Sequence, residues 1–434
     1  MSALLLFPCL ATAQARPASP PVRQLGATVA TSTELLGSVA AVRQLPDGRV
    51  LVNDQARRRL ILLDTTLKTV ATVADSTSST ANAYGAQAGG LLAFRGDSSL
   101  FVDPASLSML VIDPAGKIVR VMAAPRPQDV TFLTGGLFGN PGFDAQGRMI
   151  YRQFGTQMPA RPAPGQPFVM PTPPDSAALV RFDLASRKLD TAGYFKVYRP
   201  SMTMTREENG GMRVTTKINP LPLIDDWAVL SDGTLAIVRG REYRVDLLSS
   251  DGTRRAGGKI PFDWQRLTDS MKVAYIDTMK AVMERARAVM VAGGPAPAGP
   301  QGATLGGGGQ MVVISTETRS GGAGGAVQSM TVSKGAGDHM PVPTFVSPSE
   351  LPDYKPVFGP GSVRADADGR LWVRTIATKR TNDGAIYDVI DNTGTLVDRV
   401  QVPANSVIAG FGRGGIVFLG LRDKGGLRLI KARS

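Results

Sequence analysis

The chain has 434 residues, 43% of them apolar, which is enough for a packed core and argues against global disorder. Its formal net charge is +13, but the basic residues are scattered, Arg57-Arg58-Arg59 is the densest group, and only 6% of residues are aromatic. That distribution argues against a nucleic-acid protein, which needs a basic stripe with interleaved rings.

Residues 1–15, MSALLLFPCLATAQA, set an apolar stretch from Leu4 to Ala11 before small residues at Ala13 and Ala15. The pattern is that of a signal peptide with an A-x-A-type cleavage site, although no Lys or Arg precedes it. The expected mature chain is 16–434, exported to the periplasm or the extracellular space. Pro8 stands where a lipid-attachment cysteine needs a small residue, so Cys9 is not read as a lipid anchor. Cys9 is the only cysteine, and the mature chain then has no thiol and no disulfide. No later stretch reaches ~18 apolar residues, so no membrane span is expected.

After a strand-like segment, GATVATSTEL (26–35), one phrase recurs along the chain: LPDGRVLVND (45–54), RGDSSLFVDP (95–104), DAQGRMIYRQ (144–153), LSDGTLAIVR (230–239), DADGRLWVRT (366–375) and a degenerate GRGGIVFLGL (412–421). Each copy places Gly or a substitute in a polar turn and runs into β-branched, Leu or aromatic residues, which is hairpin chemistry. A second short strand follows each: LILLD (60–64), MLVID (109–113), LVRFD (179–183), YRVDLL (243–248), YDVID (387–391) and LRLIK (427–431). Several of these lead into a further turn and strand. Each unit therefore reads as four antiparallel strands, recurring at about 45–50 residues where uninterrupted, as β-propeller blades do.

The predicted fold is all-β, a six-bladed propeller of four-stranded antiparallel blades. The last unit lacks a fourth strand, and 26–35 is a strand without a unit, so the N-terminal segment is expected to close the last blade and remove the open seam. The spacing resembles the NHL-like six-bladed propellers of exported bacterial proteins over nearly all of 26–434. That resemblance implies the fold; propellers host binding modules and several enzyme classes alike.

Two interruptions stand out. In the third unit, PARPAPGQPFVMPTPP (159–174) is a Pro-rich exposed loop, and MTMTREENGGMRVTTK (202–217) alternates around Asn209-Gly210 as an elongated hairpin continuing the outer strand of blade 3. Between blades 4 and 5, the insertion 263–357 begins with a predicted amphipathic helix, 264–292. Its apolar stripe is Leu267, Met271, Ala274, Tyr275, Met279, Val282, Met283, Ala286 and Met290. The expectation is that the stripe docks on the chain's own propeller. Gly/Ala/Pro-rich linkers and a strand candidate, MVVIST (311–316), follow; GGAGGA (321–326) does not link a strand to a helix and is not a phosphate loop.

A Ser-His-Asp hydrolase would have to use His339, the single histidine, and no G-x-S-x-G elbow exists. The enzymatic alternative is a resemblance to gluconolactonase-like propellers, which implies a divalent cation, Ca²⁺ or Mg²⁺, held by Glu, Asn and Asp in the central channel. The positions six residues past each turn are Asn53, Asp103, Arg152, Val238, Arg374 and Leu419, with Arg239 and Arg241 close by. Two oxygen donors among several guanidinium groups form an electropositive mouth rather than a metal cage, suited to a carboxylate, phosphate or sulfated sugar. The expected site is thus Arg152, Arg239, Arg241 and Arg374 with Asn53 and Asp103. The expected function is non-catalytic binding of a protein, peptide or anionic polysaccharide by a monomer with no cofactor. Asp225-Asp226 reads as a turn or strand-entry pair rather than an acid/base couple, and Trp227 and Trp372 as residues buried between blades.

Overall fold

The computed structural model describes residues 19–77, 82–155, 174–198, 201–206, 212–291, 344–376 and 384–434. The leader 1–15 with Cys9, the loop 159–173, the tip Asn209-Gly210, the strand candidate 311–316 and His339 lie outside the described residues.

Six four-stranded antiparallel sheets form the predicted ring. Blade 1 is Ala41–Gln44, Val50–Asp54, Arg59–Leu63 and Thr69–Ala74. Blade 2 is Gly90–Ala93, Ser99–Asp103, Ser108–Ile112 and Ile118–Ala123. Blade 3 runs Gly142–Phe143, Met149–Arg152, Ser176–Phe182 and Leu189–Lys196; blade 4 runs Asp226–Val229, Leu235–Arg239, Arg244–Leu248 and Arg254–Ala256. Blade 5 is Val363–Ala365, Leu371–Arg374, Ile386–Ile390 and Leu396–Gln401. Blade 6 takes Ser406–Gly412, Ile416–Asp423 and Gly426–Arg433 from the end of the chain. Its outer strand is Thr28–Thr31, antiparallel to Gly426–Arg433, so the N-terminal segment closes the ring as the complementary deficits required. One addition was not foreseen: Val22–Gln24 pairs in parallel with Leu396–Gln401 as a fifth strand of blade 5.

The core is divided among the blade interfaces. Second strands such as Val50–Asp54 and Ser99–Asp103 are buried along their whole length, because each blade is covered on both faces by its neighbours. Six apolar clusters result, one between each adjacent pair of blades. Trp227 is buried between blades 3 and 4, and Trp372 between blades 5 and 6. Both were expected there.

Antiparallel strands alternate their ends, so the connections sort onto two faces of the disc. Inner-to-second and third-to-outer connections share one face and are all short, among them 45–49, 144–148, 230–234, 366–370, 64–68, 113–117 and 391–395. We call this the turn face. Asp side chains build it: Asp144 Oδ1 accepts from Gln146 N (3.0 Å) and Arg148 N (2.9 Å), and Asp366 Oδ1 from Asp368 N (2.9 Å) and Arg370 N (2.8 Å). The opposite, loop face carries the second-to-third and blade-to-blade connections, including 75–89, 124–141, 153–175, 197–225 and 257–362. Every long insertion is therefore on one side.

The hairpin Ser201–Arg206/Met212–Ile218 is not a continuation of the outer strand of blade 3. It forms a separate sheet with Thr344–Phe345, which pairs in parallel with Met212–Ile218. The helix spans Asp269–Val291, beginning later than the sequence pattern because 264–268 is extended, with Leu267 N donating to Asp353 O (2.8 Å). Leu267 and Ile276 pack with Leu221, Val346 and Leu351, so this helical segment docks on the insertion and the hairpin base. No helix among the described residues is long and apolar enough to cross a membrane.

Candidate functional site

Strand register places all the expected site positions at the loop-face ends of second strands or just beyond them, since each lies at the end away from its turn. Their surroundings differ sharply. Asn53 is buried: Nδ2 donates to Gly89 O (2.8 Å), and Oδ1 accepts from Tyr84 Oη (2.9 Å), which itself accepts from Gly89 N (3.0 Å). This triangle pins the connection 75–89 onto blade 1. Asp103, also buried, accepts from Ala105 N (3.2 Å) and Ser106 Oγ (2.5 Å), closing the turn that follows its own strand.

Arg239 is held between two carboxylates, Nε to Asp246 Oδ2 (2.7 Å) and Nη1 to Asp225 Oδ2 (2.8 Å). Burial lowers its pKa, but the hydrogen bonds and charges of Asp246 and Asp225 outweigh that and raise it. Arg241 is exposed in the next connection, and no hydrogen bond or ion pair engages it among the described residues. Arg374 is half-buried at the end of its strand. The structure thus brings these residues to one face but spreads them over blades 1 to 5. It commits Asn53, Asp103 and Arg239 to intramolecular partners.

Arg152 has the most unusual setting. Its Cζ lies 5.0 Å from the Phe132 ring centroid, 5.6 Å from Phe138 and 5.7 Å from Phe195. Nε is buried without a hydrogen-bond partner, and burial alone pushes the guanidinium pKa down to about 10. Phe132 and Phe138 come from the connection 124–141, and Phe195 from the outer strand of the same blade. Sequence reasoning found Arg152 but not its rings, because no local spacing links them.

Two further charged groups were missed or underweighted. Arg364 stands on the inner strand of blade 5, five residues before the turn glycine Gly369; the equivalent of Gly48 and Arg43 in blade 1. Burial lowers its pKa, while Asp226 and Tyr387 oppose that shift. A count along the second strands overlooks inner-strand positions. Asp226 begins the inner strand of blade 4 and is buried. Its Oδ1 accepts from Trp227 N (2.9 Å) and its Oδ2 from Val363 N of blade 5 (3.0 Å). Burial pushes its carboxyl up to about 7, against the opposing pull of those amides. Asp225, its neighbour, accepts from Lys196 N (2.9 Å) and Gly240 N (3.1 Å). The pair is architectural, as expected of a strand entry.

Asn53 Oδ1 and the Asp103 carboxylate, the oxygen donors counted along the second strands, are occupied by internal hydrogen bonds. Among the described residues no group of three His, Cys, Asp or Glu side chains is placed to hold a metal ion.

No family model matches the chain, and no curated protein matches it. Solved structures similar to it include a gluconolactonase from Xanthomonas campestris, at 10% identity over 97% of this chain and 98% of that one, TM-score 0.38. Virginiamycin B lyase from Staphylococcus aureus is 10% identical over 95% of this chain and 98% of that one, TM-score 0.36. Regucalcin, a calcium-binding protein from Agrobacterium tumefaciens, is 11% identical over 95% and 97%, TM-score 0.36. Likeness at this level extends to the propeller and carries no functional argument.

Proposed function

We propose that the protein is an exported binding module that takes an anionic ligand, foremost an acidic glycan, on the loop face of its propeller. The charge partition on that face carries the reading. Its buried carboxylates are engaged internally: Asp54 with Gly37 N (3.1 Å) and Ser38 N (2.9 Å), Asp129 with Phe154 N (2.9 Å), and Asp103, Asp225 and Asp226 as described. The side chains of Arg58, Arg152 and Arg241 have no hydrogen-bonded or ionic partner among the described residues, and the whole chain carries +13. A face whose buried carboxylates are engaged internally, on a chain of this net charge, attracts polyanions through its unpaired arginines, with a strength that salt screens.

Calorimetric titration with a carboxylated and a sulfated oligosaccharide, at low and high salt, tests this. Affinity is expected to fall with salt and to drop about tenfold in a variant carrying Arg241→Glu and Arg374→Glu, a loss on the order of 1.4 kcal/mol. Failure of both glycans to bind would overturn the reading. An isotherm indifferent to salt and to both charge reversals would equally rule it out.

A further inference from the structure

On the loop face of blade 3, one guanidinium is enclosed by rings and lacks an acceptor. Arg152 ends the strand Met149–Arg152, and three phenylalanine rings surround its Cζ at 5.0 to 5.7 Å. Ring faces attract the cation but offer no acceptor in the plane of the guanidinium, where all five N–H groups point. Nε is buried with no partner. The carboxylate on the helical turn packed beside the strand, Asp129, is already taken: Oδ1 accepts from Phe154 N (2.9 Å), Oδ2 from Tyr151 Oη (3.2 Å), and Arg126 Nε lies 3.4 Å from Oδ2. Asp129 thereby fixes the residues flanking Arg152 without neutralising it. Phe154 is 39% exposed, and its ring lies 6.0 Å from that of Phe132, so the aromatic wall continues outward to solvent.

We propose that Arg152, with Phe132, Phe138 and Phe154, forms a subsite for a uronic acid residue of an acidic glycan. The planar fork matches the two coplanar oxygens of a carboxylate. In a uronate that carboxylate is attached directly to the pyranose ring, so the C–H face of the sugar comes to rest on the phenylalanine wall. A sulfate ester is tetrahedral and stands off the ring; a neutral sugar leaves the guanidinium without its acceptor. The inference deepens the loop-face reading and rests on it.

The probes are trigalacturonate, its fully methyl-esterified form and a sulfated disaccharide, titrated into the wild type and into Arg152→Met, Arg152→Lys and Phe154→Ala. Melting curves show whether each variant is folded. Trigalacturonate is expected to bind the wild type, and its neutral ester to bind at least tenfold more weakly. Arg152→Met should lose about tenfold to a hundredfold. If Arg152→Met does not fold, Arg152→Lys decides: it keeps the charge, loses the fork, and should bind severalfold more weakly. Phe154→Ala should also weaken binding severalfold. Trigalacturonate binding that ignores both Arg152 variants but falls on charge reversal of Arg241 and Arg374 overturns this subsite and leaves the broader function standing. So does binding of the sulfated probe alone. Displacement of trigalacturonate from Arg152 by a short peptide, but not by that peptide with an amidated C-terminus, reassigns the subsite to a chain terminus and overturns the uronate assignment. No binding by either acidic glycan overturns both.

Discussion

The two faces of the disc are made from the same strands yet follow different rules. On the turn face, one chemical device repeats: a glycine at positive φ, such as Gly48 (85°), Gly147 (75°), Gly233 (85°) or Gly369 (84°), with an Asp carboxylate accepting backbone amides beside it. On the loop face Asp turns recur as well, at Asp75, Asp103 and Asp423, but the contacts that anchor the longer connections differ from blade to blade. Blade 1 holds its neighbouring loop with Asn53 and Tyr84, blade 4 clamps Arg239 between Asp225 and Asp246, and blade 3 surrounds Arg152 with rings. Repetition marks what the architecture needs from every blade. Irregularity marks where individual blades have acquired their own contacts.

That contrast predicts unequal sensitivity to mutation. The largest effect is expected at Gly139, on the loop-face connection 124–141, where φ is 93° and an added Cβ would lie 2.2 Å from Nε1 and Cε2 of the buried Trp227. Gly139→Ala forces both backbone strain and repacking between blades 3 and 4, costing about 3 kcal/mol or more in chemical denaturation. A cost under about 1 kcal/mol would break the contrast.

Next in size is a pH effect at Asp226. Its folded-state pKa of about 7 lies above the ordinary value, so the folded protein holds this proton more tightly than the unfolded chain does. Stability from this group is therefore fullest below the unfolded pKa and is lost as pH rises through about 7, by on the order of 2–4 kcal/mol. Asp226→Asn removes the titration, so the stability difference between variant and wild type should change between pH 5 and pH 8. Parallel profiles would refute it.

The smallest effect sharpens the comparison from the other side. At Gly48 the added Cβ would meet only Thr65 Cγ2, at 3.1 Å, so Gly48→Ala pays the positive-φ penalty alone, about 1 kcal/mol. The same Gly-to-Ala change is thus expected to be mild in a repeated turn and severe in a loop that wedges between blades. Equal melting-temperature losses for the two would erase the distinction.

The same division explains what was legible in the sequence. The Asp-Gly turns, the alternating strands and the ring closure could be read because each depends on residues within a few positions, or on a deficit at one end matched at the other. The loop-face ends of the second strands could be located by counting, but their roles could not. Arg239 and Arg152 occupy similar positions, yet one faces two carboxylates and the other three rings, brought by neighbouring strands and connections at spacings that no local pattern marks. The hairpin 201–218 was legible as a hairpin from its alternation; its partner, Thr344–Phe345, lies across the whole helical insertion and leaves no local trace.

Closure of the ring also sets a clock on synthesis. Thr28–Thr31 emerges from the ribosome long before its partner Gly426–Arg433, with five blades' worth of chain between them. At ~5–20 residues per second the wait is on the order of tens of seconds. Throughout it the early strand has no blade to join, and blade 6 exists only as an unmade edge. Val22–Gln24 waits nearly as long for Leu396–Gln401. Blades 1 to 4 can assemble in order of appearance, whereas the seam is necessarily a late event. In pulse-labelled hydrogen exchange during refolding, Ser32 N, bonded to Leu429 O (2.8 Å), should gain protection no earlier than the strand that receives it. Earlier protection would show that the segment finds another partner first.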